Sequence, residues 1–184
     1  MDRSFDRDLS SRLASVLAAP DDAGPLEMIV RRPRSEVREV VEEGRLTVED
    51  GLVGDDWLAR GSRSTPDGAA DPEAQLTLMS SRVLAAVAPD RAAWPLAGDQ
   101  LIVDLDLSVG NLPPGTRLSL GEAELVVSEL PHTGCAKFSA RFGSDALRWL
   151  NTPEGRENRL RGVYVRVTRD GTVRTGDLVR KLAG

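Results

Sequence analysis

One histidine and one cysteine occur in this 184-residue chain, three positions apart in His132-Thr133-Gly134-Cys135. A thiolate is a strong nucleophile and a soft metal ligand, and a nearby imidazole can take its proton. The spacing therefore admits nucleophilic catalysis by a Cys135–His132 pair or ligation of a metal by Cys135. A third reading makes Cys135 a small buried apolar side chain and His132 a loop residue, since free cysteine is often plain core. Ligand count bounds the metal chemistry. One cysteine and one histidine cannot build an ordinary structural zinc site within a chain. A metal held by Cys135 must bring most of its other ligands with it, as an organic cofactor does.

Cations stand close by. Lys137 and Arg141 follow the cysteine on a predicted helix start, where positive side chains and unpaired N–H groups can meet a phosphate. Arg60 and Arg63 lie in a stretch rich in Gly, Ser and Asp that can close over one. Each is equally readable as a solvated surface charge. Asp55, after Gly54 in a turn-like setting, reads as a carboxylate that caps backbone N–H groups. Trp57, Trp94 and Trp149 read as packing residues at barrel ends.

The composition places the chain among globular proteins, with 40% hydrophobic and 29% charged residues. A net charge of −5 speaks against nucleic-acid binding, which favours a basic face, but leaves room for a small anion held by local arginines. The first residues offer no apolar run for a signal peptide and no segment is long enough to span a bilayer. The expected compartment is therefore the reducing cytosol, with no membrane contact.

Several elements must position these side chains. Phe5, Leu9, Leu13, Val16 and Leu17 predict an amphipathic helix over 4–19, capped by Ser4 and stopped by Pro20. The expected division is residues 1–20 as that helix and 21–184 as the main domain. Leu26–Val30 is the first strand candidate, and the segment of Val37, Val40 and Val41 is readable as helix or strand. The stretch from Gly51 to Asp71 lacks periodicity and is expected to be a functional or disordered loop. Gln75–Met79 predicts a strand, followed by a helix capped at Ser80 or Ser81 and ended by Pro89. Further strands are expected at Leu101–Leu105, Arg117–Leu120, Glu124–Leu130, Val163–Thr168 and Thr172–Arg174. Gly121-Glu122 marks a tight turn and Asp170-Gly171 a hairpin, with short helices near 135–141 and 144–150. Arg156–Arg161 reads as a solvated charged run. Short strands at this spacing predict a mainly β domain, either barrel or sandwich.

An ordered series of short motifs resembles the MOSC domain family, named for the C-terminal domain of molybdenum cofactor sulfurases. They are Gly51-Leu52-Val53-Gly54-Asp55, Gln75–Met79, Gly98-Asp99-Gln100-Leu101, Pro114-Gly115-Thr116-Arg117-Leu118, the loop cysteine in Gly134-Cys135, Arg161-Gly162-Val163-Tyr164-Val165 and Gly176-Asp177. Together they cover roughly residues 26–180. The resemblance implies a β-barrel with peripheral helices and a pocket for the molybdenum cofactor, a pterin with a phosphate tail. Carried over, Cys135 is the position that would ligate molybdenum or hold a persulfide sulfur. Arg161, at the Arg-Gly-Val position, would meet the anionic cofactor.

Three departures stand out. Gly134-Cys135 replaces the frequent Pro-Cys. Gly54-Asp55-Asp56-Trp57 stands where many bacterial members carry Gly-Asp-Arg-His, and Gly98-Asp99-Gln100 replaces Gly-Glu-Asn. The resemblance implies a molybdenum-dependent oxidoreductase acting on small N-oxygenated compounds, or a sulfur carrier. His132 would lower the thiol's pKa or donate a proton to a leaving oxygen. No G-x-G-x-x-G or P-loop pattern is present, so reduction requires a separate electron donor, a ferredoxin or flavin reductase. A non-catalytic anion-binding barrel and a Cys–His hydrolase or transferase are the alternatives.

Overall fold

The computed structural model describes residues 11–183. Seven strands close a barrel in the order β1 (Ala23–Arg31), β11 (Leu178–Lys181), β7 (Arg117–Leu120), β8 (Ala123–Val127), β9 (Val163–Arg169), β5 (Leu76–Ser80) and β6 (Leu101–Val103), which returns to β1. Every seam is antiparallel except β5–β6. That parallel pair needs a crossover, supplied by helix α3 (Ser81–Val87) and a 3-10 turn at Arg91–Ala97. β2 (Glu39–Val41) extends the sheet from β1, while β3 (Glu43–Thr47), β4 (Gly51–Leu52) and β10 (Gly171–Arg174) form a smaller one. The remaining helices are α1 (11–17), α2 (Trp57–Arg60), α4 (Ala136–Phe142), α5 (Ser144–Leu150) and α6 (Pro153–Glu157).

Alternation along the strands separates two apolar cores. Val163, Val165 and Val167 of β9, and Ala123, Leu125 and Val127 of β8, point into the barrel and are buried. A bulge between Leu26 and Met28 shifts the parity of β1. Leu26 and Ile29 therefore both face inward, while Met28 and Val30 face a second core beneath the helices. That second core joins Leu13 and Val16 of α1 to Val83, Leu84, Trp94, Phe138, Trp149 and Leu160. Trp94 and Trp149 thus pack between wall and helices rather than at the barrel ends. β5 is buried along its whole length because it is covered on both faces, which explains its unbroken apolar run.

Of the N-terminal helix expected over 4–19, turns within 11–17 are present; Ser4, Phe5 and Leu9 lie outside the described residues. Ser80 occupies the N-cap of α3, but its hydroxyl makes no capping bond. The segment around Val40 is a strand. Three strands without alternating apolar runs, β3, β4 and β11, add to those expected; β4 and helix α2 fall in the Gly51–Asp71 stretch expected as loop, β4 because it pairs with β3. Asp170-Gly171 does not close a hairpin: β10 leaves β9 and pairs with β3, and Asp170 accepts a bond from the Val48 N–H instead. Gly171 lies so close to β8 that a Cβ would sit 2.2 Å from the Ala123 nitrogen. The chain therefore slides over that strand rather than folding back. The run Arg156–Arg161 is not simply solvated, because Leu160 and Arg161 are both buried.

Candidate functional site

Five segments meet beside the barrel wall: residues 32–38 after β1, the stretch from Asp56 to Ala74, Ala97–Gln100 before β6, residues 132–141, and the start of β9. Between them lies a cavity of about 740 Å³. It brings together all of the side chains singled out from the sequence, namely Cys135, His132, Lys137, Arg141, Arg161, Arg60 and Arg63. Arg32 and Arg38, which sequence reasoning passed over, line it too. Seven cationic side chains and four carboxylates face this space in a chain of net charge −5, so the excess positive charge is local.

These cations fall into two groups. Arg32 is clamped by Asp55, with Nε to Oδ2 at 2.9 Å and Nη2 to Oδ1 at 2.8 Å, and also donates to the Gly98 carbonyl. Burial alone would lower the Arg32 pKa, but the bonds and charge of Asp55 outweigh it and raise it. Asp55 also accepts from the Trp57 N–H, so it is a turn cap as expected and an ion-pair partner besides. Arg161 donates from Nη1 to both oxygens of Asp99 at 2.8 Å, and its guanidinium lies 5.1 Å over the Phe138 ring. Both pairs are almost wholly buried.

The other group is looser. Arg38 bonds only the neighbouring Val37 carbonyl, its Nε is covered without a partner, and no carboxylate pairs with it among the described residues. Burial, followed by the nearby charges of Arg141 and Arg32, lowers its pKa. Arg63 is exposed and forms no ion pair among the described residues. Arg60 pairs with Asp56 at 2.7 Å one turn earlier. Lys137 and Arg141 share one exposed carboxylate, Glu36, and those bonds, from Lys137 first, hold Glu36 below the usual carboxylate range. Glu36 sits at φ 61°, a strained conformation for a non-glycine residue. Arg141 also donates to the Leu96 carbonyl.

Cys135 is exposed on the cavity wall and occupies the N-cap of α4, its thiol making no capping bond. The reading of Cys135 as a sealed core residue is therefore wrong. A Cβ at Gly134 would come within 2.3 Å of Leu147 Cδ1, so the glycine that replaces the frequent proline leaves room for that side chain of α5. His132 stacks at 4.4 Å on Tyr164, and its Nδ1 is covered without a hydrogen-bond partner. Burial, then the charge of Arg161, pushes the imidazole down to about 3. A ring that stays neutral lacks the positive charge needed to lower the thiol's pKa. Its remaining capacity is as a neutral N–H donor or as an acceptor. Burial likewise raises the Tyr164 hydroxyl, keeping it protonated.

The departures in the early loop acquire local reasons. Asp55 and Asp56 hold Arg32 and Arg60, and Trp57 is a buried part of the cavity wall. Asp99 anchors Arg161, while Gln100 Oε1 accepts from both the N–H and the hydroxyl of Thr77. The signal that sequence reasoning missed is the run Arg31-Arg32-Pro33-Arg34-Ser35-Glu36-Val37-Arg38, four arginines starting at the last residue of the first strand. Among the described residues, no group of three or more His, Cys, Asp or Glu side chains is placed to hold a metal ion. No described helix is long and apolar enough to cross a membrane.

The fold is similar to that of the YuaD protein from Bacillus subtilis, with a TM-score of 0.63, 17% identity, and 85% of this chain and 94% of that chain covered. It is also similar to YiiM from Escherichia coli, at a TM-score of 0.57 and 23% identity over 88% of this chain and 70% of that one. YiiM from Geobacillus stearothermophilus gives 0.59 and 15%, covering 87% of this chain and 75% of its own. At these identities the likeness speaks for the fold. A comparison with curated protein sequences finds no match. A family model described as the MOSC domain, a family linked in general to molybdenum cofactor binding, matches residues 66–180. That span holds Cys135, His132 and Arg161, and leaves Arg32, Arg38, Arg60 and Arg63 upstream. Since it covers more than half of the sequence, the chain belongs to the MOSC domain family.

Proposed function

We propose that the protein binds the molybdenum cofactor in the basic cavity, with Cys135 as the protein's ligand to the metal, and acts as an oxidoreductase on small N-oxygenated compounds. The observation that supports this reading best is an exposed thiol on the wall of a cavity where cations outnumber carboxylates. The residues fit an anionic pterin. Arg38 has a covered Nε without a partner, and Lys137, Arg141 and Arg63 can turn to a phosphate without breaking a buried pair. When bound, the cofactor supplies a metal that cycles between states two electrons apart, with dithiolene sulfurs that complete the ligand set begun by one cysteine.

The chain's own residues bind, orient and hold protons. Arg32 and Arg161, each fixed by a buried carboxylate, form a rigid floor, and the looser cations hold the anionic tail. His132 and Tyr164 face the cavity uncharged, so each can donate a hydrogen bond to a departing oxygen at neutral pH, the protons themselves coming from solvent. Reduction of an N–OH group to N–H takes up two electrons and two protons and releases water. The electrons are assigned to a separate ferredoxin or flavin reductase, because the chain carries no nucleotide-binding motif. The hydrolase reading is weaker. His132 Nδ1 has no orienting partner, and the carboxylate of Asp99 is engaged by Arg161.

The test is elemental and pterin analysis of protein purified from a molybdenum-replete, cofactor-competent host, beside Cys135→Ser. The expected result is molybdenum close to one per chain in the wild type, with most of it lost in the variant. Metal-free wild-type protein that still binds phosphate would instead establish an anion-binding barrel, and full loading of Cys135→Ser would remove Cys135 from the metal. A persulfide on Cys135, seen by mass spectrometry without bound metal, would mark a sulfur carrier.

A further inference from the structure

A second cavity of about 230 Å³ adjoins the first, and His132 and Arg161 border both. Its walls combine two kinds of surface. Val109, Leu130, Leu150 and Val163 give it an apolar lining, and Arg156 and Arg159 bring positive charge to the same space. Neither of those arginines has a carboxylate partner among the described residues. Arg159 Nη1 donates to the Leu112 carbonyl at 2.6 Å, its backbone is held at φ 44°, and burial lowers its pKa. Glu129 also faces the cavity, without an ion pair to either arginine. On the shared wall, Arg161 Nε and His132 Nδ1 are covered polar atoms with no partner. Arg156 is exposed and Arg159 half-buried. A half-buried guanidinium without a counter-charge, beside unpaired covered polar atoms, is unfavourable unless a ligand completes it.

We propose that this second cavity binds a small organic carboxylate, its anionic head on Arg156 and Arg159 and its apolar body against Leu130, Leu150 and Val163, with an edge reaching His132. The volume suits a single ring or a short branched chain rather than a nucleotide. Such a molecule would sit across one wall from the Cys135 cavity, in contact with the histidine that lines both. The proposal is independent of what fills the larger cavity.

Benzoate is the probe, titrated into the full isotopically labelled chain and followed by amide NMR, with benzamide as the uncharged control. The expected result is saturable shifts at Gly155, Arg159 and Gly162 with a dissociation constant on the order of 1 mM, as a ligand of this size gives. Benzamide should bind at least about tenfold more weakly, a margin expected when a charge-assisted contact is removed. Arg156→Glu, on an exposed helix position, should weaken benzoate by a similar factor with the rest of the spectrum unchanged. Equal binding of benzoate and benzamide would overturn the anionic head. Shifts confined to Ser62, Lys137 and their neighbours, or no saturation, would overturn the site itself. Because the readout needs no cofactor, neither result depends on the molybdenum reading.

Discussion

The basic cavity has a floor and a rim, and they use the same side chains for opposite ends. On the floor, Arg32 and Arg161 are buried and closed off by Asp55 and Asp99, which are themselves inaccessible. On the rim, Arg38 and Arg63 have no carboxylate among the described residues, and Lys137 and Arg141 share the exposed Glu36. A buried charge whose partner is fixed holds elements together and has little left for a ligand. A charge with an exposed partner, or none, costs little to redirect. Counting arginines around a pocket therefore overstates its capacity for anions, and the pairing decides which of them serve.

The comparison breaks most visibly on the floor. Asp99→Ala leaves the Arg161 guanidinium buried and uncompensated, and removal of one member of such a pair costs about 3–5 kcal/mol. Urea unfolding should show that loss, whereas a change under 1 kcal/mol would mean that water reaches the pair and that floor and rim do not differ. His132, on the same wall as Arg161, tests the dryness of the floor in another way. Its folded pKa is depressed to about 3 from an ordinary 6.5. The unfolded chain therefore binds a proton that the folded chain does not, and stability falls as pH drops below 6.5. The loss reaches about 2 kcal/mol by pH 5, the limit for one proton over that interval. His132→Gln should flatten this part of the profile, and an NMR titration placing the ring near 6.5 would contradict a dry wall.

The same contrast explains what could be read from the sequence. β8 and β9 announce themselves through alternating Val and Leu, because one face is core and the other is not. β3 and β11, with Glu-Gly-Arg-Leu-Thr and Leu-Val-Arg-Lys, owe their state to distant partners, and no local pattern encodes that. Cys135, Lys137 and Arg141 were legible as a site because they are neighbours on one loop and helix. Arg32, Glu36 and Arg38 lie in a run that carries no family motif and no reactive neighbour, and enter the cavity only because β1 ends beside the cysteine loop. Arg161 was legible through the family motif alone; its run of charges gave no sign that Asp99 would bury it.

On the rim the expected effects are smaller and fall on binding rather than stability. Arg38→Ala should weaken pyrophosphate binding about tenfold, the loss of one charge-assisted contact, while unfolding shifts by no more than about 0.5 kcal/mol. Calorimetric titration beside a denaturation curve checks both halves, and a large stability loss would move Arg38 to the floor. Glu36→Gln should act in the opposite direction, freeing Lys137 and Arg141 and tightening pyrophosphate a few-fold. Acid should mimic that substitution. The Glu36 pKa is depressed, so its pairing persists above the usual carboxylate range and is lost only as pH falls through the lower folded value. Glu36 therefore competes with an incoming anion at every pH where it is ionised. If Glu36→Gln weakened pyrophosphate instead, Glu36 would be positioning the two cations for the ligand rather than standing in its place.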